Sequence, residues 1–227
     1  LSYVIGPAPN SPDDMEVMLA AARREKVEDR VAIAEAAGLT ATVMDIESYA
    51  ARSALEQAAL PRQDQIVALF QIGAHATHVS VLFNGEAVYE REQPFGGNAL
   101  TQDIVRSYGM AFEEAETRKK AGDLPENYRA DILAPFLESA ALEITRAIQF
   151  FYTSTPYTRI DQLFLAGGCA LLPGLLDIIA SRSRISSAVV SPFKGMQLAG
   201  GVRESQLRAE APAYLVACGL AMRKAAV

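Results

Sequence analysis

Glycines occur in this 227-residue sequence where backbone could lie directly against a ligand. Gly73 follows the apolar run of residues 66–70, and the pair Gly167 and Gly168 follows the apolar run of residues 163–166. Because glycine has no Cβ, its backbone can approach a phosphate or a purine closely. Ligands of α/β proteins bind at the ends of buried strands, so both places are candidate binding sites. Further candidates are Gly96, Gly97 and, near the end of the chain, Gly219.

The turn at Gly73 is a candidate phosphate site, because it joins two predicted strands. Its N–H groups and the hydroxyl of Thr77 could point at a terminal phosphate. The alternative is an ordinary β-turn. The segment with Gly167 and Gly168 leads from a buried strand into a helix, and an adenosine could lie against its bare backbone. The alternative there is a tight strand-to-helix turn.

Charged residues supply two more candidates. Glu116 and Lys119 share a face of a predicted helix and could hold ribose hydroxyls and the edge of a purine; the alternative is a surface salt bridge. Glu47 follows a strand and opens a helix, where a carboxylate could order a magnesium-bound water. Its alternative is an acid favoured by the helix dipole.

His75 and His78 lack further ligands at zinc spacing, so we expect no zinc site.

Composition narrows the class of protein. The net charge of -6 and the pI near 5.1 argue against a nucleic-acid binder, which needs clustered Lys and Arg. The only cysteines are Cys169 and Cys218, so we expect a reducing compartment and no disulfide. No apolar stretch reaches the roughly 20 residues of a membrane span, and the first residues do not resemble a signal peptide. We expect a cytoplasmic protein that reaches a membrane only through partners.

Hydrophobic periodicity and turn residues predict the order of elements. The dipeptide Asn84 and Gly85 between alternating strands predicts a hairpin, and Pro135 should kink the long helix or mark its start. The first 45 residues form a predicted βαβ unit, and residues 58–63 are the predicted linker. The predicted elements are strand 15–21, helix 24–37 closed by Gly38, strand 39–45, helix 47–57, strands 65–72, 78–83 and 86–93, helices 99–108, 112–121 and 128–151, strand 163–166, helix 174–183, strand 188–190 and helix 212–223.

Taken in order, these motifs resemble the actin-like ATPase superfamily. The segments that carry the resemblance are residues 45–50, 71–74 with Thr77, Gly96 and Gly97, Glu116 with Lys119, residues 165–168 and residues 217–221. Within that superfamily, residues 93–97, 124–125, 148–151 and 217–222 are most similar to the PilM family of type IV pilus assembly proteins, which is related to the cell-division protein FtsA.

The resemblance implies an α/β fold of the actin-like ATPase (ribonuclease H-like) type, with mixed sheets and flanking helices. It implies an FtsA-like extra subdomain over residues 1–45, a connecting helix and linker over 46–63, a second lobe over 64–210, and a C-terminal helix over 211–227 that returns to the first lobe. The family also has a first phosphate hairpin, which we expect to lie in a segment upstream of this sequence. We therefore expect the chain alone to be truncated at its N-terminus and to bind nucleotide weakly.

The resemblance also implies ATP and Mg²⁺ as cofactors. It assigns nucleotide contacts to Gly73, Thr77, Gly96, Gly97, Glu116, Lys119, Gly167 and Gly168, and the catalytic acid to Glu47. At the metal position the family has Asp, and this sequence has Gln71. A neutral amide supplies no charge to Mg²⁺, so we expect weak hydrolysis at best.

The function implied is that of a cytoplasmic platform whose shape ATP sets, and which binds the N-terminal tail of the inner-membrane protein PilN and other pilus assembly proteins. We expect that tail to bind beside the βαβ unit, near residues 15–21. One alternative is a small-molecule kinase of the sugar or acetate type, which needs a catalytic Asp in its cleft. Another is a type II secretion cytoplasmic domain, which continues into a membrane span.

Overall fold

The fold is described from a computed structural model, over residues 2–7, 15–59 and 62–223. Contacts divide the chain into two units, Leu1–Ile46 and Glu47–Val227. The finer division of the second unit, at residues 63 and 210, stays a prediction. Among the described helices, none combines the length and the apolar character that crossing a bilayer requires.

The first unit contains one hairpin and one helix. Strands β1 (Ser2–Pro7) and β2 (Met15–Ala20) pair antiparallel, and helix α1 (Arg24–Ala36) follows. As predicted, α1 is closed by Gly38, which has φ 74°. The Gly38 N–H donates to Glu35 O and the Leu39 N–H donates to Ala34 O, both at 2.9 Å. This pattern satisfies carbonyls that the helix end leaves free, and it needs a left-handed residue that glycine adopts without strain.

Residues 39–45 do not form a strand, so the predicted βαβ unit is wrong. In the described part of the chain β2 pairs only with β1. A strand needs a neighbour for its backbone and a surface for its apolar side chains. Among the described residues none pairs as a strand with residues 39–45, and Leu39 and Val43 are 65% and 52% exposed. Their alternating pattern is compatible with extended backbone, but pairing with distant residues decides whether a strand forms.

The second unit is built on a five-stranded mixed sheet. Its strands are β3 (Ile66–Ile72), β4 (Thr77–Phe83), β5 (Glu86–Gln93), β6 (Gln162–Ala166) and β7 (Ser187–Val189), in the order β5-β4-β3-β6-β7. The first three strands form the predicted antiparallel meander, whereas β6 runs parallel to β3 and to β7. Asn84 and Gly85 have φ 52° and 81°, which is the backbone of a tight two-residue hairpin.

Helices cover the sheet and connect its halves. They are α2 (Glu47–Ala59), α3 (Gly97–Tyr108), α4 (Phe112–Ala121), α5 (Ala134–Ser154), α6 (Leu175–Ser183), α7 (Glu204–Glu210) and α8 (Leu215–Met222). Pro135 is the second residue of α5, and the residues before it are also helical, so it lies within one continuous helical segment. A π-helical turn at Arg129–Leu133 precedes α5 and accounts for the predicted earlier start. Helix α2 continues through Ala59 into the predicted linker, and residues 60 and 61 lie outside the described residues.

The central strand β3 is buried on both faces. All seven of its residues are buried, because helices lie on each side of the sheet. Phe70 and Ile72 pack in a cluster with helices α3 and α5, and Leu69 packs in a second cluster with α2 and α8. The second cluster is rich in small residues, so its helices approach closely. A Cβ placed on Gly219 of α8 would lie 1.8 Å from the carbonyl oxygen of Ala50 in α2.

The Gly219→Ala substitution should destabilise the second unit by about 3 kcal/mol, because the clash involves backbone and no side chain can move aside. The measurement is urea unfolding followed by far-UV circular dichroism, since the sequence has no Trp. Gly201→Ala is the matched control, because a Cβ there meets no atom within 4 Å. Equal unfolding midpoints for the two variants would contradict the close contact of α2 and α8.

Candidate functional site

The first site, turn 1 (residues 73–76), joins β3 to β4. It is closed by the Gly73 N–H, which donates to Ala76 O at 2.9 Å. The Thr77 side chain is 2% exposed, and its hydroxyl donates to Phe95 O at 2.7 Å. The predicted phosphate-facing hydroxyl therefore bonds within the protein. Its hydrogen bond ties turn 1 to the segment that leads into Gly96.

Turn 2 consists of Gly96 and Gly97, at the start of α3, and it lies directly on turn 1. The Gly97 N–H donates to Gly73 O at 2.9 Å, and the Asn98 N–H donates to Ala74 O at 2.8 Å. A Cβ on Gly96 would lie 2.5 Å from Ala74 O. These contacts use N–H groups that a helix leaves free at its start. Glycine at position 96 is therefore needed for two backbone segments to meet.

Turn 3 consists of Gly167 and Gly168, between β6 and a 3₁₀ turn, and it lies against the end of β3. Gly167 has φ 84°, and a Cβ there would lie 2.4 Å from Ile72 O. The next residue, Cys169, donates from Sγ to Gly73 O at 3.5 Å. Turns 1 and 2 therefore meet at Gly73, and turn 3 lies against the adjacent Ile72, with the following residue Cys169 bonded to Gly73.

Glu116 and Lys119 form an ion pair in α4 that is largely shielded from solvent. Their side chains are 25% and 13% exposed, which is less than a surface salt bridge retains. The Lys119 ammonium also donates to Thr101 Oγ1 at 2.6 Å, and the Thr101 hydroxyl contacts the Glu116 carboxylate. Burial acts to raise the pKa of Glu116. Hydrogen bonds from Lys119 and Thr101, with the charges of Lys119 and Lys120, outweigh burial and hold this pKa below its ordinary value.

Gln71 and Glu47, the predicted metal and catalytic residues, lie outside the three glycine turns. Gln71 is 7% exposed in β3, directly opposite His78 of β4, and its Nε2 is buried with no hydrogen-bond partner in the described chain. Glu47 is exposed at the first residue of α2 and makes no hydrogen bond or ion pair with another predicted site residue within the described ranges. His78 lies 3.6 Å from the Glu92 carboxylate. The hydrogen bonds of the described residues thus join the glycine turns to one another, and none of them links Glu47 to these turns.

Sequence reasoning missed two residues of this site, Thr101 and Cys169. Thr101 is completely buried and links turn 2 to the Glu116 and Lys119 pair. The sequence pattern could have indicated Thr101, because it lies one helical turn after Gly97 on the face that carries Ile104. Cys169 fills the space beside Gly97, and burial raises the pKa of its thiol to about 11. The sequence could have indicated Cys169 because this residue directly follows Gly167 and Gly168.

The Gly97→Ala substitution should destabilise the protein by about 2 kcal/mol, because the new Cβ would lie 2.6 Å from Cys169 Sγ. Adding Cys169→Ala removes that sulfur, so the double variant should regain most of the lost stability. The measurement is a double-mutant cycle by urea unfolding, with Gly168→Ala as a control that meets no atom within 4 Å. Strictly additive effects of the two substitutions would show that Gly97 and Cys169 do not touch.

Comparisons with known proteins identify the family and the fold. A family model for "Type IV pilus assembly protein PilM" matches residues 1–225. A solved structure of the PilM-PilN type IV pilus biogenesis complex matches with 26% identity and a TM-score of 0.79, over 98% of this chain and 65% of that chain. The chain therefore spans less than two thirds of the length of that relative.

Two further solved structures share the fold. Ethanolamine utilization protein EutJ from Carboxydothermus hydrogenoformans matches with 24% identity and a TM-score of 0.63, over 88% of this chain and 62% of that chain. MreB5 of Spiroplasma citri, bound to AMPPNP, matches with 16% identity and a TM-score of 0.57, over 89% of this chain and 65% of that chain. At these identities the likeness shows the fold alone, and it confirms the predicted actin-like α/β architecture.

The family model covers nearly the whole sequence, and the likeness to the PilM-PilN complex covers nearly all of the fold. Both findings agree with the motifs quoted from the sequence. This chain belongs to the PilM family of type IV pilus assembly proteins.

Proposed function

We propose that the chain is an actin-like scaffold of type IV pilus assembly, which binds the N-terminal tail of PilN and changes shape with nucleotide. The observation that carries this proposal is the likeness to a PilM-PilN complex over 98% of the chain. The kinase and type II secretion alternatives have no comparable support. We infer a cytoplasmic location, with the scaffold held at the inner membrane through its partners.

ATP is the proposed ligand of turns 1, 2 and 3. The support is geometric: Gly96 and Gly167 let turns 2 and 3 pack against turn 1 and the end of β3, where a Cβ would clash with backbone. Such turns bring N–H groups and bare backbone together, which suits phosphate and adenosine. The half-buried pair of Glu116 and Lys119 offers an acceptor and a donor for ribose hydroxyls or a purine edge. The likeness to MreB5 bound to AMPPNP is consistent with this site.

The proposed site fits Mg²⁺ less well than it fits ATP. A bound Mg²⁺ would neutralise charge on the phosphates. Among the described residues, no group of three or more His, Cys, Asp or Glu side chains could hold a metal ion. Gln71 contributes a neutral amide at the metal position, and Glu47 is the acid that would order a metal-bound water. We therefore infer that phosphates and water hold the metal, and that hydrolysis is weak or absent.

An extended segment of PilN can be bound through a strand edge in the first unit. In the described chain β1 and β2 form a two-stranded sheet, so each strand has one edge without a neighbour. Unpaired strand edges bind extended peptides through backbone hydrogen bonds. We propose the outer edge of β2 as the site of the PilN tail.

Binding of a synthetic PilN N-terminal peptide should respond to proline at only one of two adjacent β2 positions. In an antiparallel pair, consecutive residues direct their N–H groups to opposite edges. We compare Val17→Pro with Met18→Pro. The variant that removes an N–H directed away from β1 should keep the hairpin and lose peptide binding. The variant that removes an N–H directed toward β1 should break the hairpin. The measurements are titration calorimetry and amide hydrogen exchange of β1.

The peptide-binding experiment has two negative outcomes, and they overturn different parts of the proposal. A parent protein that does not bind the peptide would overturn the proposed partner. Peptide affinity that survives both substitutions would overturn only the proposed edge. Circular dichroism of both variants checks that the second unit is folded.

Gln71→Asp should tighten magnesium-dependent ATP binding about fivefold, or by ~1 kcal/mol, because it adds a carboxylate beside the metal's water shell. The measurement is titration of a fluorescent ATP analogue into this chain and into a version extended upstream. We expect the extended version to bind more tightly, because the family resemblance implies a second phosphate hairpin there.

Titrations in EDTA are the control for the metal. A gain that persists without Mg²⁺, or no gain with it, would place Gln71 away from the metal. Low-micromolar affinity of the short chain would contradict the need for the upstream hairpin.

A further inference from the structure

Thr101 is a buried polar residue at the junction of the candidate nucleotide contacts. It lies in α3, its side chain has no exposure to solvent, and its hydroxyl has three partners. The Thr101 Oγ1 lies 3.2 Å from Gly97 O and 2.6 Å from Lys119 Nζ, and it contacts the Glu116 carboxylate. A helix-surface threonine bonds only to its own helix. The Thr101 hydroxyl differs, because it is buried and has two partners on α4 besides the carbonyl of Gly97 at the start of its own helix.

The partners of Thr101 can be assigned from its donors and acceptors. A hydroxyl carries one proton and two lone pairs, and an ammonium has only donors. Lys119 therefore donates to Thr101, and the Thr101 proton goes to the Glu116 carboxylate or to Gly97 O. The carboxylate of Glu116 is the favoured acceptor, because hydrogen bonds to a charged acceptor are the stronger ones.

This arrangement leaves binding groups of the ion pair free. Two of the three Lys119 donors are used by Thr101 and Glu116, so one N–H has no partner among the residues that the structure describes. On Glu116, Oε1 receives both of those partners, whereas the Lys120 ammonium lies 3.7 Å from Oε2 with an exposed side chain. Thr101 thereby fixes Lys119 and Glu116 in a geometry that presents one donor and one acceptor.

The same hydroxyl reaches the phosphate side of the proposed site. Thr101 contacts the carbonyl of Gly97, whose N–H donates to Gly73 O at 2.9 Å. A series of polar contacts therefore joins Lys119 to Thr101, Thr101 to the Gly97 carbonyl, and the N–H of that same peptide unit, on Asn98, to Ala74 O of turn 1 at 2.8 Å. Because each group in this series is buried or backbone, a change in the position of α4 would alter the contacts of turn 1.

We propose that Thr101 is a positioning residue that couples the nucleoside contacts on α4 to the phosphate contacts of turn 1. This inference rests on the proposed nucleotide site, and it adds that the two halves of the site do not act independently. Thr101 does not touch the ligand. It sets the geometry of Glu116 and Lys119 relative to the turn that receives the phosphates.

Thr101→Val should weaken ATP binding about tenfold, because two hydrogen-bonded partners lose the hydroxyl while the volume stays similar. Thr101→Ser keeps the hydroxyl and should restore affinity to within about twofold. The measurement is titration of ATP and of AMP into the upstream-extended protein. If Thr101 couples the two halves, the preference for ATP over AMP should also fall in Thr101→Val, whereas a purely structural role would leave this ratio unchanged.

Thr145→Val is the matched control. The Thr145 hydroxyl donates to Ala141 O at 2.7 Å within α5, so the variant loses a comparable helix bond outside the site. It should bind ATP like the parent. If Thr101→Val does not fold, Thr101→Cys replaces it, since a thiol fills similar space but bonds weakly.

The pKa of Glu116 gives a second readout by carbon-13 NMR titration. In the parent this pKa lies below its ordinary value, partly because Thr101 donates to the carboxylate. A carboxylate with a lowered pKa stabilises the fold above its unfolded pKa, and that stability is lost as pH falls through the folded pKa. Thr101→Val should raise the pKa of Glu116 toward its unfolded value, so the loss should be smaller and should be complete at a higher pH.

The outcomes separate the proposals. No ATP binding by the parent would overturn the nucleotide site and this inference with it. Parent-like ATP affinity and an unchanged ratio of ATP to AMP affinity in Thr101→Val would overturn only the role of Thr101. Failure of Thr101→Ser to recover affinity would also contradict it, because the hydroxyl is the feature on which the argument depends.

Discussion

The candidate site depends on backbone segments that approach each other more closely than side chains would allow. The carbonyl of Gly73 accepts hydrogen bonds from Gly97 N–H and from Cys169 Sγ, and Gly167 lies against the neighbouring Ile72. With any larger residue at Gly167, a Cβ would meet the Ile72 carbonyl oxygen at 2.4 Å. The glycines are therefore first a condition for the three turns to pack, and through that packing they could bring bare backbone to a ligand.

The charged part of the site is positioned by helix packing and not by the turns themselves. Glu116 and Lys119 lie on α4, and Thr101 on α3 holds both of them through one hydroxyl. An isolated pair at this spacing is worth only a few tenths of a kcal/mol, because solvent screens it. Here the low exposure of Lys119 and the third partner make the arrangement rigid. Pairing with a buried hydroxyl, and not the spacing alone, distinguishes this pair from an ordinary surface salt bridge.

Local rules predicted much of the fold, and contacts between distant elements account for what they missed. Gly38 at a helix end and the dipeptide at Asn84 follow from backbone conformation, so both were predictable from the residue types. Residues 39–45 were predicted as a strand because they alternate, yet no described neighbour pairs with them. Thr101 was missed because its importance comes from the packing of α3 on α4, and a single sequence does not contain that contact.

The pairing of β3 with β6 has a consequence for the order of folding. The Ile66 N–H donates to the Asp161 carboxylate at 2.8 Å across a sequence separation of 95 residues. Turns 1 and 2 come from neighbouring segments and can associate early, whereas turn 3 joins them only after this long loop closes. During synthesis, the end of β3 must therefore wait, uncovered on one side, until the ribosome has released β6. Chaperones that shield apolar strands would act on this interval, and a pause in translation before residue 162 would lengthen it.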